Sequence, residues 1–174
     1  MDLFYPIGKF SWPKAVSAGE RSQHLDVLAD APARFRQAVD GLDDAQLDTP
    51  YRPGGWTVRQ VIHHVPDSHM NSYCRFRWAL TEDNPPIKGY NEAAWAELHD
   101  ARSGPLEPSL QLLESLHSRW VVLLSSLSER DWARTFQHSE YGPVRLDQNL
   151  ALYSWHSRHH AAHITSLRQR MRWK

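Results

Sequence analysis

Seven of the eleven histidines in this 174-residue chain fall in two short windows. The later one, Ser154-Trp155-His156-Ser157-Arg158-His159-His160-Ala161-Ala162-His163-Ile164, holds four of them within eight positions. On an α-helix His156 and His160 sit one turn apart on one face, and His159 and His163 do the same on another. Two imidazoles one turn apart can grip one metal ion, and a third ligand from elsewhere would complete a tight site. The best source is the earlier window, Val61-Ile62-His63-His64-Val65-Pro66-Asp67-Ser68-His69. The two stretches read as facing helices that share a metal.

The faces narrow the choice of ligands. Tyr153, His156, His160, Ile164, Leu167 and Met171 form the core-facing stripe of the later helix. A polar ring turned into a core must have a partner. A lone inward histidine is more often a satisfied core residue than a ligand, but a pair at one-turn spacing with a second cluster points to metal. His63 and His64 point about 100° apart. The side of His64 carries Val61, Val65, Ser68 and Ser72, whereas His63 lies nearer Arg59 and Asp67, which favours His64. His69 falls on another side and reads as a surface or supporting residue. His159, between Arg158 and His160, reads as outward-pointing, and His163 as supporting. Asp67 either orients a ring through its free N–H, as carboxylates at metal sites do, or is a surface carboxylate near Arg59 or Arg75.

Three neutral imidazoles leave a divalent ion with its full charge and an open position. Such an ion can lower the pKa of a bound water to about 7, which suits hydrolysis. The same charge would hold a thiolate, which suits S-transfer, so the ligand set alone does not choose. The sequence names no catalytic side chain beyond the ion. Cys74 has no clear cationic neighbour on its face to activate it. Trp56, Trp78, Trp95, Trp120 and Tyr153 are candidate cavity walls whose first role is core packing.

The elements that must position these groups follow from periodicity. Leu25, Leu28, Pro32, Phe35, Val39 and Leu42 step by three and four, giving a first helix over Glu20 to Leu42 with a bend at Pro32. Thr57 to Gln60 forms a capping box that starts a second helix running to about Leu80, with Pro66 inside it. Residues 81–108 are a Pro- and Gly-rich connection with one short helix, Asn91 to Ala101, whose Trp95 and Leu98 face inward. A connection this long lets the second and third helices run parallel. Leu113, Leu116, Trp120, Leu123 and Leu127, widened by Leu112 and Leu124, mark a third helix over Ser109 to Leu127. Thr135 to Leu146 reads as a hairpin or loop around Tyr141-Gly142-Pro143. The fourth helix starts at an Asp147 cap and runs to about Met171; Arg168, Arg170, Arg172 and Lys174 suit its C-terminal dipole. The fold class is all-α, a four-helix bundle in one domain over residues 1–174, with a long connection between the second and third helices.

Composition bounds the function. Twenty basic residues balance twenty acidic ones, which argues against nucleic acid and against electrostatic membrane attachment. No apolar stretch approaches the roughly 20 residues of a membrane span, and residues 1–10 lack the pattern of a secretory signal. The single cysteine fits a reducing cytoplasm.

Tyr5-Pro6-Ile7-Gly8, Gly54-Gly55-Trp56-Thr57-Val58-Arg59-Gln60-Val61-Ile62-His63-His64, Asp67-Ser68-His69-Met70-Asn71 and Trp155-His156 to Ile164 resemble the YfiT type within the DinB-like superfamily. The resemblance covers nearly the whole chain. It implies a four-helix bundle and one divalent metal per chain, zinc foremost with nickel as the alternative, held by His64, His156 and His160. It also implies a cytoplasmic homodimer acting on a small-molecule substrate, most simply as a metal-dependent hydrolase. Superfamily relatives that transfer low-molecular-weight thiols, bacillithiol among them, make a metal-dependent thiol S-transferase the alternative. A non-catalytic, metal-stabilised binding or stress protein is the third reading.

Overall fold

The computed structural model describes residues 2–173. An N-terminal arm precedes α1 (Ala18–Val39), which begins at a Ser17–Glu20 capping box: Ser17 Oγ accepts from Glu20 N–H and the Glu20 carboxylate accepts from Ser17 N–H. The helix starts two residues before the expected Glu20, and Pro32 is accommodated within one continuous helix. The short α2 (Asp44–Leu47) follows, and then α3 (Val58–Thr81), which begins at the expected Thr57–Gln60 box and carries Pro66 inside it.

The long connection holds β1 (Pro86–Ile87) and two short helices, α4 (Glu92–Ala96) and α5 (His99–Ser103), instead of one. Leu98 takes extended backbone between them, which breaks the expected helix. The inward assignment of Trp95 and Leu98 is overturned: they are 36% and 55% exposed, and Ala96 and Ala101 face the body. Next come α6 (Leu106–Ser125), α7 (Glu129–Trp132), a hairpin of β2 (Thr135–His138) and β3 (Gly142–Arg145), and α8 (Leu146–Met171). β1 joins the hairpin by pairing parallel to β2. Leu112 of α6 is exposed and does not widen the buried face. Asp147 is not the cap of α8. It lies inside the first turn, buried, and accepts from Arg145 and from Val16 N–H, which fastens the arm. Lys174 lies outside the described residues.

Cross-helix hydrogen bonds give the helix directions. Arg59 reaches Gly104, His63 reaches Ser109 and His69 reaches His117, so α3 and α6 run parallel as expected. His24 meets Ser154 and Arg168 meets Ala38, so α1 and α8 are also parallel. Arg36 pairs with Glu107 while His117 bonds Leu28, so α1 and α6 are antiparallel. The same holds for α3 and α8, since Ser72 meets Asn149 and Ser68 meets Tyr153. The result is a four-helix bundle in up-down-down-up order.

Two apolar clusters fill the bundle. One gathers Phe35, Val58, Val61, Ile62, Leu113 and Ile164. The other gathers Leu28, Phe76, Trp120, Phe136, Leu150 and Tyr153. Along α3, α6 and α8 a polar layer falls between them: Ser68, His69, His117 and His160 are buried and His156 is half-buried. The long helices therefore present histidines at mid-height, where apolar packing on both sides holds each backbone.

Candidate metal centre

His64 comes from α3, and His156 and His160 from facing turns of α8. Each offers one ligand atom, and these atoms lie within 4.8 Å of one another, the one such group of three His, Cys, Asp or Glu among the described residues. The His64 and His156 Nε2 atoms are 3.3 Å apart. Ring centroids are separated by 5.3 Å (His64–His156), 4.8 Å (His64–His160) and 4.4 Å (His156–His160). Burial pushes all three pKa values down, His64 to about 4 and the α8 pair well below the ordinary histidine value, with neighbouring histidines adding to the effect on that pair. At neutral pH the rings are therefore uncharged and offer lone pairs.

A chain of hydrogen bonds fixes which nitrogen of His156 carries its proton. His156 Nδ1 is 3.1 Å from His69 Nε2, His69 Nδ1 is 2.7 Å from His117 Nε2, and His117 Nδ1 is 2.6 Å from the Leu28 carbonyl oxygen. A carbonyl can only accept, so His117 is protonated on Nδ1. Neutral His117 then accepts at Nε2, so His69 donates from Nδ1 and accepts at Nε2. His156 must donate from Nδ1, which leaves its Nε2 lone pair facing His64. His69 is fully buried, so its reading as a surface residue is corrected to the supporting one. The role of His117 was missed; its signal is a histidine on the Leu113–Leu116–Trp120 stripe.

The other candidates are placed elsewhere. His63 faces α6, where its Nδ1 meets Ser109 Oγ at 2.7 Å. The Asp67 carboxylate makes no hydrogen bond to any of these rings. Burial, then the charge of Asp100, raises it to about 6, and the orienting contact on His156 comes from His69 instead. His159 does not point outward: it is buried, stacked on Trp155 beneath the N-terminal arm, with Tyr5 also against it. His163 stacks on Tyr51, and its Nε2 donates to the Phe4 carbonyl. The arm thus covers the second histidine pair.

A cavity of ≈ 330 Å³ opens onto the three rings, and Trp56, Ser68, Arg75, Tyr90 and Tyr153 help line it. Trp56 packs on His64 and His160. Ser68 Oγ and Tyr153 Oη are 3.3 Å apart, which sets two hydroxyls beside the rings. Of the aromatic residues weighed as walls, Trp56 and Tyr153 serve, Trp120 is buried in the core, and Trp78 and Trp95 face solvent. Grooves of ≈ 450 and ≈ 610 Å³ lie on the surfaces between α1 and α6 and between α1 and α8, away from the three-ring cluster.

The model of the DinB superfamily matches residues 28–164. Proteins of Bacillus cereus (strain 03BB102) and Bacillus thuringiensis subsp. konkukian, both named "Putative metal-dependent hydrolase", are 54% identical over 172 residues, which is 99% of this chain and 99% of theirs. The solved structure of YfiT from Bacillus subtilis is 47% identical with a TM-score of 0.97 and covers 100% of both chains. It is described as a probable metal-dependent hydrolase with an unusual four-helix bundle topology. A mycothiol-dependent maleylpyruvate isomerase, 20% identical with a TM-score of 0.65 over 81% of this chain and 59% of its own, shares the fold.

Proposed function

The chain belongs to the DinB superfamily, and from that premise we propose that it is a metal-dependent hydrolase in which His64, His156 and His160 hold one divalent ion, zinc foremost and nickel the alternative. One observation carries the reading: three neutral imidazoles, two buried and His156 half-buried, converge within 4.8 Å, one with its lone pair fixed by the His69–His117 chain. The donor set fits such an ion. Neither ring nitrogen of His160 has a hydrogen-bond partner among the described residues, and its Nδ1 is buried, so that ring has unused capacity to bond. Three nitrogen ligands suit zinc or nickel, and a catalytic site of this kind keeps a position for a non-protein ligand. When bound, the ion supplies Lewis acidity and lowers the pKa of water. The chain's own contribution is to aim the rings, to exclude solvent with Trp56 and Tyr153, and to offer the Ser68 and Tyr153 hydroxyls to a small-molecule substrate. Its family likeness extends the proposal to a cytoplasmic homodimer; no helix among the described residues is long and apolar enough to cross a membrane.

If His69 orients His156, His69→Ala should weaken metal affinity roughly 10- to 100-fold without abolishing it. Competition against a chromophoric chelator reads this directly. An unchanged affinity would show that His156 holds its orientation unaided.

The neutral ligand set also favours a second reading, a thiol S-transferase, because the ion's uncompensated charge would hold a thiolate as readily. The zinc or nickel form should be incubated with activated esters and amides without thiol, then with a low-molecular-weight thiol and an alkylating electrophile. Ester cleavage that disappears in His156→Ala is the expected result. Metal-dependent consumption of thiol with no ester cleavage above background would replace the hydrolase with the transferase.

A further inference from the structure

Arg75 is 7% exposed and lines the same cavity as the three rings. His64, Ser68 and Arg75 stand at i, i+4 and i+11 on α3, one stripe of a 3.6-residue helix. The Cα atoms of His64 and Arg75 are thus roughly 16 Å apart along the axis. The charge of Arg75 is felt by His138 and Tyr141, which line the same cavity.

No hydrogen bond, ion pair or aromatic face holds this guanidinium among the described residues. The other two buried arginines contrast with it. Arg21 bonds Glu129 and the Val16 carbonyl, and Arg59 bonds Asp44, Asp48 and the Gly104 carbonyl. A buried cation without an anion is unfavourable, and evolved interiors pair such charges. The histidine rings bring no negative charge. Glu92 and Glu140 reach the cavity only at its exposed rim and form no ion pair with Arg75.

We propose that Arg75 is the anchor for an anionic group of the substrate, a carboxylate or a phosphate, seated at the end of the cavity away from the metal ligands. The proposal rests on the cavity being the substrate site. A guanidinium presents paired N–H donors that match either oxyanion, which makes arginine suited to this role. The molecule taken up is therefore elongated and charged at one end, with its reactive group toward His64, His156 and His160.

The test is calorimetric titration of the zinc-loaded and the chelator-stripped protein with 4-phenylbutyrate, phenyl phosphate and the neutral 4-phenylbutyramide. At least one anion should bind both forms more tightly than the amide. Arg75→Gln should weaken that anion roughly 10- to 100-fold while leaving amide affinity and zinc content unchanged, and Arg75→Lys should fall between. The anion that loses more identifies the group. Equal or absent binding of all three by the wild type overturns the proposal, and so does an anion preference that survives Arg75→Gln in the stripped protein. If the protein takes up no zinc but Arg75→Gln still erases the preference, the metal reading fails and the anion site stands.

Discussion

Between pH 6.5 and about 4 the metal-free protein should lose most of its stability, because its core is built around histidines that must stay neutral. Burial lowers the pKa of His64 and His117 to about 4 and pushes His69, His156 and His160 well below the ordinary value. In the unfolded chain each returns to about 6.5. Across this window the unfolded state binds protons that the folded state refuses, so stability falls as pH falls. Above the unfolded value the contribution is intact; it is lost as pH falls toward the folded value and is fully lost only below it. For His117 alone the loss is on the order of 3 kcal/mol, against a typical domain stability of about 5–15 kcal/mol. Its Nδ1 bond to Leu28 partly offsets the desolvation, and the His69 contact opposes a second proton nearby. Urea midpoints measured with chelator present should be flat above pH 7 and decline steeply below 6.5. A flat profile down to pH 5 would mean that these rings are charged or hydrated in the folded state.

His156→Ala should reduce metal content from about one ion per chain to nearly none. It removes one proposed ligand of three and leaves His69 Nε2 without its donor, fully buried against the rings of His117, Trp120 and Tyr153. Binding to the folded state alone stabilises by about 4 kcal/mol at a free-ion concentration 1,000 times Kd. For a chain of this size that corresponds to roughly 8–16 °C in melting temperature. The mutant should therefore melt well below metal-loaded wild type, with most of the gap closing once wild type is stripped. Elemental analysis and thermal scans of wild type, His156→Ala and His159→Ala decide the matter. His159 packs between Trp155 and the arm, so His159→Ala should keep its ion. Loss of metal in His159→Ala with retention in His156→Ala would place the centre on the other histidine pair.

The parts of this arrangement that were legible in the sequence are those that one helix determines. The i, i+4 spacing of His156 and His160, the Thr57–Gln60 box and the apolar stripe beside His64 each need only helical geometry. The length of the 81–108 connection also announced the parallel course of α3 and α6. What was hidden depends on relations between helices. His69 looked off-face from α3 alone because its partners, His156 and His117, come from two other helices. Asp67 looked well placed by spacing, yet the turn it occupies faces Asp100 instead of the rings. Arg75 was noted only as a neighbour for Asp67, since nothing along the chain reveals that a charge will be buried without a counter-charge.

The parallel pairing of α1 with α8 also bears on how fast the molecule assembles. Contacts such as His24–Ser154 and Ala38–Arg168 join residues 130 positions apart. Helical bundles whose neighbours are joined by short turns fold quickly because most contacts are local, and distant pairings must close long loops before any contact rewards them. This chain should therefore fold slowly for an all-helical domain. The three proposed ligands, divided between residues 64 and 156–160, come together only when α3 and α8 have docked. An ion that needs all three would have little hold on the half-assembled transition state, so its effect should fall on the rate of unfolding: metal would act as a latch on a structure that has already closed.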